Sequence, residues 1–187
     1  MPDNTDEIQN IARKYAYNHR YGNDAHNNQL TNAPISQEDE DNLRKLVNEH
    51  DEKSLSLRSI KIGNNVARVL ASAKETNIEQ LNIDYTNIGN AGAMAIAEGF
   101  PKLKKLDMQA TQAGAEGITA LIRKPGIKEI WMPQHYLGGN REDVATIANA
   151  VEESSLQKLS CYHCGLNNDL MVNAIQRSNT LINADLE

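Results

Sequence analysis

Near the C-terminal end of this 187-residue chain stands Cys161-Tyr162-His163-Cys164. Two thiols with an imidazole between them are the residue types that bind zinc or exchange electrons as a dithiol. Either chemistry makes further demands. A tetrahedral zinc site needs two more ligands, and His19, His26, His50 and His135 show no ligand spacing. A redox pair needs an accessible, activated thiolate. Other residues with chemical potential are equally without a partner set. Gly89 with Gly92 and Gly114 with Gly117 recur 25 residues apart, but neither pair makes a GxGxxG and no lysine follows to hold a phosphate. No serine, histidine and aspartate fall into a catalytic motif. The chain is therefore read as non-enzymatic, with no catalytic residue, no metal and no cofactor.

What positions the cysteines is a repeat. The pattern LxxLxLxx(Asn/Thr/His/Cys)x(Leu/Ile/Ala) opens at Leu57, Ile78, Leu103, Ile127 and Leu156 and starts again at Leu181. The intervals of 21, 25, 24, 29 and 25 residues suit one strand plus one helix per repeat. Positions 4 and 6 of each strand face the core, because side chains alternate with period two. They are Ile60 and Ile62, Leu81 and Ile83, Leu106 and Met108, Ile130 and Met132, Leu159 and Cys161. Position 9 carries Asn65, Thr86, Thr111, His135 and Cys164, small or hydrogen-bonding groups suited to turning the chain back beneath the sheet. Cys161 and Cys164 thus become small apolar core residues. His163 at position 8 points away from them, and His135 becomes a hydrogen-bonded core residue. Apolar residues at three- and four-residue spacing then predict helices: Ala91, Met94, Ala95, Ile96; Ile118, Leu121, Ile122; Val144, Ile147, Ala148, Val151; Leu170, Val172, Ala174, Ile175.

The run IGNAGAMAIAEGF, residues 88–100, and more loosely AGAEGITALI, residues 113–122, resemble the ribonuclease-inhibitor subfamily of leucine-rich repeats; the resemblance covers residues 57–187. It implies an α/β leucine-rich-repeat solenoid, a horseshoe with a parallel β-sheet on the concave face and helices on the convex face. It also implies a family whose members mostly bind proteins on the sheet face. The segment LGGNRED departs from the pattern with an insertion of about four residues, expected to bulge at one rim.

Ahead of the repeats, residues 1–20 are expected to form an amphipathic helix or a tail, marked by Ile8, Ile11, Ala12 and Tyr15, with Asn4 as N-cap and Glu7 three residues on. Residues 21–35 have the composition of a polar linker. Residues 36–53 hold a capping helix that starts at Ser36, carries Glu38 to Asp41 in a solvated first turn, and buries Leu43, Leu46 and Val47. The repeats occupy residues 54–187, five plus a partial sixth. No capping segment follows Leu186, so that end is expected to continue or to be covered by association, self-association included.

Net charge is −6, and residues 1–53 hold 11 acidic and 6 basic groups against 14 and 13 in the remainder. A nearly neutral solenoid argues against nucleic acid or an anionic membrane as the main partner. With no run of 18 apolar residues, no signal-peptide core and only two cysteines, the expected location is cytoplasmic, without membrane insertion.

The concave face remains, formed by strand positions 3, 5 and 7. In the first repeat these fall on Ser59, Lys61 and Gly63. Further along, Trp131, the only tryptophan, turns outward and is expected to share an aromatic patch with Tyr162. Tyr85, Gln134 and His163 line its rim, and Asp84, Asp107, Glu129 and Lys105 surround it. Such a cluster has the make-up of a protein-binding hot spot. The leading expectation is a non-enzymatic module that binds a partner protein through this face. An alternative is a GTPase-activating regulator of a small GTPase, work that one ribonuclease-inhibitor-like family does; Arg58 and Arg141 are the rim arginines available for it. A second alternative is a bacterial effector, delivered into a host cell to bind a host protein, suggested by small size, 22 asparagines and eukaryote-like repeats.

Overall fold

The computed structural model describes residues 3–16, 34–135, 137 and 140–186. Most of the expected linker and, in the expected rim insertion, Gly138 and Gly139 lie outside the described residues. Six three-residue strands, β1 (Ser54–Ser56), β2 (Gln80–Asn82), β3 (Lys105–Asp107), β4 (Glu129–Trp131), β5 (Lys158–Ser160) and β6 (Asn183–Asp185), form one parallel sheet in chain order. The middle residue of each of the first five, Leu55, Leu81, Leu106, Ile130 and Leu159, is buried, while its neighbours turn to the concave side. The carbonyls of Lys53, Glu79, Lys104, Lys128 and Gln157 each accept two N–H groups from the next repeat at 2.7–3.1 Å. That shared acceptor fixes the in-register pairing of all five strand pairs.

Past each of the first five strands the chain turns through the left-handed region at position 8, with φ between 50° and 63° at Ser59, Tyr85, Ala110, Gln134 and His163. None is glycine, so each repeat stores some backbone strain there. The series also phases the first repeat. With Ser59 at position 8, Leu55 and Leu57 take positions 4 and 6, and Leu55 pairs with Leu81. The expected frame beginning at Leu57 is therefore five residues late: Ile60 and Ile62 are buried, but at positions 9 and 11. Ser59, Lys61 and Gly63 are not strand positions, Asn65 is not the turn residue, and the outward row begins Ser54, Ser56, Arg58. Glu52, charged where the other repeats carry Leu or Ile, occupies position 1 and hides the true start. Repeat intervals become 26, 25, 24, 29 and 25 residues.

Helices α3 (Asn64–Ala71), α4 (Asn90–Gly99), α5 (Ala115–Ile122), α6 (Arg141–Glu153) and α7 (Asp169–Arg177) cover the convex side. Their inward faces are narrower than apolar spacing suggests. In α4 the buried residues are Gly92, Ala93, Ile96 and Gly99, with Ala91 exposed; in α7 they are Met171 and Ala174, with Val172 39% exposed. Two asparagines join the helix starts of successive repeats. Asn64 Oδ1 accepts from Gly89 N and Gly92 N, both at 2.9 Å, and Asn90 Oδ1 accepts from Gly114 N at 2.6 Å and Gly117 N at 3.2 Å. A Cβ at Gly92 would stand 2.7 Å from Asn64 Oδ1, and one at Gly117 2.9 Å from the Ala93 Cβ. Those glycines therefore serve close packing, not phosphate binding.

At the β1 end lie α1 (Thr5–Lys14) and α2 (Gln37–Asn48). Ile8 and Ala12 of α1 and Leu43 and Val47 of α2 join the continuous core. The Gln9 side chain donates to the Ser56 carbonyl at 2.7 Å, so α1 closes part of the sheet edge. Ser36 caps α2 as its sequence predicts, accepting from Asp39 N at 3.2 Å. Asn4 does not cap α1: its amide donates to the Leu46 carbonyl at 3.3 Å, and Asp3 accepts from Thr5 N at 2.9 Å instead. The acidic turn of α2 is also not wholly solvated. Asp39 takes the Lys14 ammonium at 2.8 Å and the Tyr15 hydroxyl at 2.7 Å, which ties α1 to α2 and holds its carboxyl below the usual range.

Candidate functional site

Corrected registration lays out the concave face as three rows. Position 3 reads Ser54, Gln80, Lys105, Glu129, Lys158, Asn183; position 5 reads Ser56, Asn82, Asp107, Trp131, Ser160, Asp185; position 7 begins Arg58, Asp84, Gln109, Pro133, Tyr162. Trp131 is 41% exposed, in the middle row of β4. Lys105, one strand back, places its ammonium 5.6 Å from the centroid of the indole ring. Beside it Asp107 lies 3.7 Å from the same ammonium. Burial pushes the Asp107 carboxyl up, Lys105 opposes that shift, and Asp84 and Glu129 add to it. Glu129 accepts from Lys158 at 3.0 Å, a bond that holds its carboxyl down.

Several expected contributors are placed differently. Asp84 is buried, with one oxygen accepting from Gln109 N at 2.7 Å and the other paired with Arg58 at 2.5 Å. It holds strands together and presents little to a partner. Arg58 also lies 4.9 Å from the centroid of the half-buried Tyr85 ring, so both charge and face of that arginine are engaged. Arg141 is an exposed residue at the start of α6. Gln134 accepts from the Gln109 side chain at 3.0 Å. Tyr162 and Trp131 do not join in one aromatic patch: Tyr162 meets His163 edge-on at 5.3 Å, and among the described residues no ring contact links Tyr162 to Trp131. One strand across and two residues along amounts to roughly 8 Å between backbones, and each ring finds a nearer partner.

The neighbour Trp131 does find, which sequence reasoning passed over, is a cleft of about 230 Å³ lined by Trp131, Lys158, Leu159, Ser160, Asn183 and Asp185. A larger groove of about 440 Å³ lies on the convex side between α4 and α5, lined by Met94, Ala97, Arg123 and Lys124 among others. Lys124 there is buried and donates to the Ala97 carbonyl at 2.8 Å, capping the end of α4. That amine is therefore engaged within the fold, as is the Arg123 guanidinium, which pairs with Glu153 at 3.1 Å.

Cys161 and Cys164 are both free and fully buried. The Cys164 thiol donates to the Met132 carbonyl at 2.9 Å, and hydrogen bonding between the two cysteines together with burial pushes the Cys161 thiol well up. No group of three or more metal-ligating side chains occurs among the described residues. A thiol reagent should accordingly label both cysteines only after denaturation. Rapid labelling of native protein, read by mass, would contradict their burial.

His135 is 3% exposed, its Nε2 bonded to the Ala113 carbonyl and its Nδ1 3.3 Å from the Thr111 hydroxyl. A neutral ring protonated on Nε2 satisfies both contacts, and burial keeps its pKa below the usual 6.5. The unfolded chain therefore binds this proton more readily, and His135 favours folding fully above about pH 6.5. That contribution is lost as pH falls from there through the folded-state pKa. Denaturant melts between about pH 7 and 5 should slope less steeply for His135→Gln than for the parent chain; equal slopes would show that the ring does not fold neutral.

No family model matches this chain, and no curated protein is similar to it. A solved structure, the tropomodulin C-terminal domain from Caenorhabditis elegans, is similar in fold with a TM-score of 0.56 at 19% identity, covering 75% of this chain and 93% of that one. The likeness extends to the architecture, a leucine-rich-repeat solenoid.

Proposed function

We propose that the chain is a non-enzymatic, cytoplasmic protein-interaction module of the ribonuclease-inhibitor-like kind, and that it binds a partner protein through the concave face around Trp131. Repeats of 24 to 29 residues, each with a full helix, support the subfamily reading. The observation that carries the functional reading is Trp131 itself, 41% exposed at the centre of an otherwise polar sheet. Tryptophan is enriched in binding hot spots because it covers much apolar area at little entropic cost. Its surroundings are held in place: Lys105, Asp107, Glu129 and Lys158 are already paired, so a docking partner meets a face that needs little reordering. The near balance of charge across the repeats disfavours nucleic acid. Among the described residues no helix is long and apolar enough to cross a membrane.

Affinity capture from lysate with the parent chain and Trp131→Ala in parallel tests this. A partner held by the parent should lose about 30-fold in affinity, the equivalent of a hot-spot loss of about 2 kcal/mol. A partner retained equally by both, with the variant still folded, would move the binding face elsewhere.

A further inference from the structure

The middle row of the concave face holds a gap whose two walls differ in kind. Trp131, Ser160 and Asp185 are consecutive partners in that row, on β4, β5 and β6. Ser160 is small and 94% covered, so it forms a floor between an indole and a carboxylate whose backbones stand roughly 10 Å apart. Lys158 and Asn183, one row over, close the side. At about 230 Å³ the space is below the roughly 300–1,000 Å³ of pockets for drug-sized ligands, and suits one long side chain.

Charge decides which side chain. In the three outward rows Arg58 is paired with Asp84, Lys105 with Asp107 and Lys158 with Glu129. Asp185 has no cation partner among the described residues, and its carboxylate is exposed at the mouth of the cleft. The cation over the Trp131 ring, Lys105, belongs to β3, and Lys158 at the side of the cleft is taken up by Glu129, whereas the cleft opens on the β5 and β6 side. An aromatic wall facing an uncompensated carboxylate across a small floor suits a planar cation, which stacks on the ring and donates two parallel N–H hydrogen bonds to the carboxylate. We propose that this slot receives an arginine side chain of the partner protein, stacked on Trp131 and paired with Asp185. The proposal rests on the concave-face reading above and names the chemistry of its partner.

Trp131 is the only tryptophan, so its emission reports the slot directly. The probe is the capped peptide acetyl-Ala-Arg-Ala-amide, compared with the same peptide carrying citrulline, which keeps the shape and loses the charge, and with one carrying glutamate. The arginine peptide should change the emission saturably. Citrulline in the peptide, or Asp185→Asn in the protein, should each weaken that binding about tenfold or more, and Ser160→Leu should abolish it by filling the floor. Circular dichroism and melting of Asp185→Asn should match the parent. Equal binding of the citrulline or glutamate peptide, no saturable change with arginine, or indifference to Asp185→Asn would each overturn the proposal. A protein partner that needs Trp131 but tolerates Asp185→Asn would leave the concave-face reading standing and refute the arginine slot alone.

Discussion

Replacing Ile130 by alanine is expected to lower stability by about 2–5 kcal/mol, through lost transfer energy and the cavity left behind. The adjacent change Trp131→Ala should cost no more than about 1 kcal/mol. Ile130 is fully buried at the middle of β4, while Trp131, one residue on, is 41% exposed and makes its ring contact with Lys105 on the surface. At about 2–4 °C per kcal/mol for a chain of this size, the two melting curves separate clearly. A solenoid transmits stability from repeat to repeat. Because β4 lies between β3 and β5, Ile130→Ala should also broaden the transition as the two sides begin to melt separately. A silent Ile130→Ala beside an unfolded Trp131→Ala would mean that the strand register is wrong by one residue and the proposed face is the core.

That register was legible in four repeats and hidden in one, for a physical reason. From Ile78 onward an apolar residue at position 1 is followed by the alternation at 4 and 6, and together they leave a single solution. In the first repeat Leu55, Leu57, Ile60 and Ile62 are all buried, so two frames satisfy the core equally and only the backbone turn at Ser59 separates them. The late frame had a cost at the surface. It set Arg58 on a rim, whereas the observed frame sets it beside Asp84 in the same row, where the two form an ion pair. Alternation alone made Asp84 an exposed contact residue; the neighbour that covers it came from the misphased strand.

Other features lay beyond any reading of pattern. Asn64 and Asn90 look like solvated helix starts, and nothing in their own repeat shows that each accepts two backbone N–H groups from the next. The slot between Trp131 and Asp185 depends on Ser160 being small on the strand between the two walls, a relation that exists only once the strands are aligned. The cysteines were the opposite case. Their register placed them in the core, since position 6 and position 9 both point inward, and both are fully buried.

Gly99→Ala tests how tightly the helical layer is packed, and the expected sign opposes helix propensity. Gly99 ends α4, where alanine would ordinarily be favoured by up to about 1 kcal/mol. A Cβ there would stand 2.2 Å from the Ala71 carbonyl oxygen and 2.4 Å from the Ala71 Cβ, at the end of α3. Backbone cannot yield as a side-chain tip can, so α3 and α4 must separate, at a cost of about 1–3 kcal/mol or more. The clash therefore wins, and thermal or denaturant melts should show a clear loss of stability. Ala71→Gly in the same chain should restore only part of it, because removing the Cβ leaves the nearer contact, the carbonyl oxygen, in place. An unchanged or raised melting point for Gly99→Ala would mean that the two helices stand further apart than the structure places them. Full rescue by Ala71→Gly would assign the contact to the side chain alone.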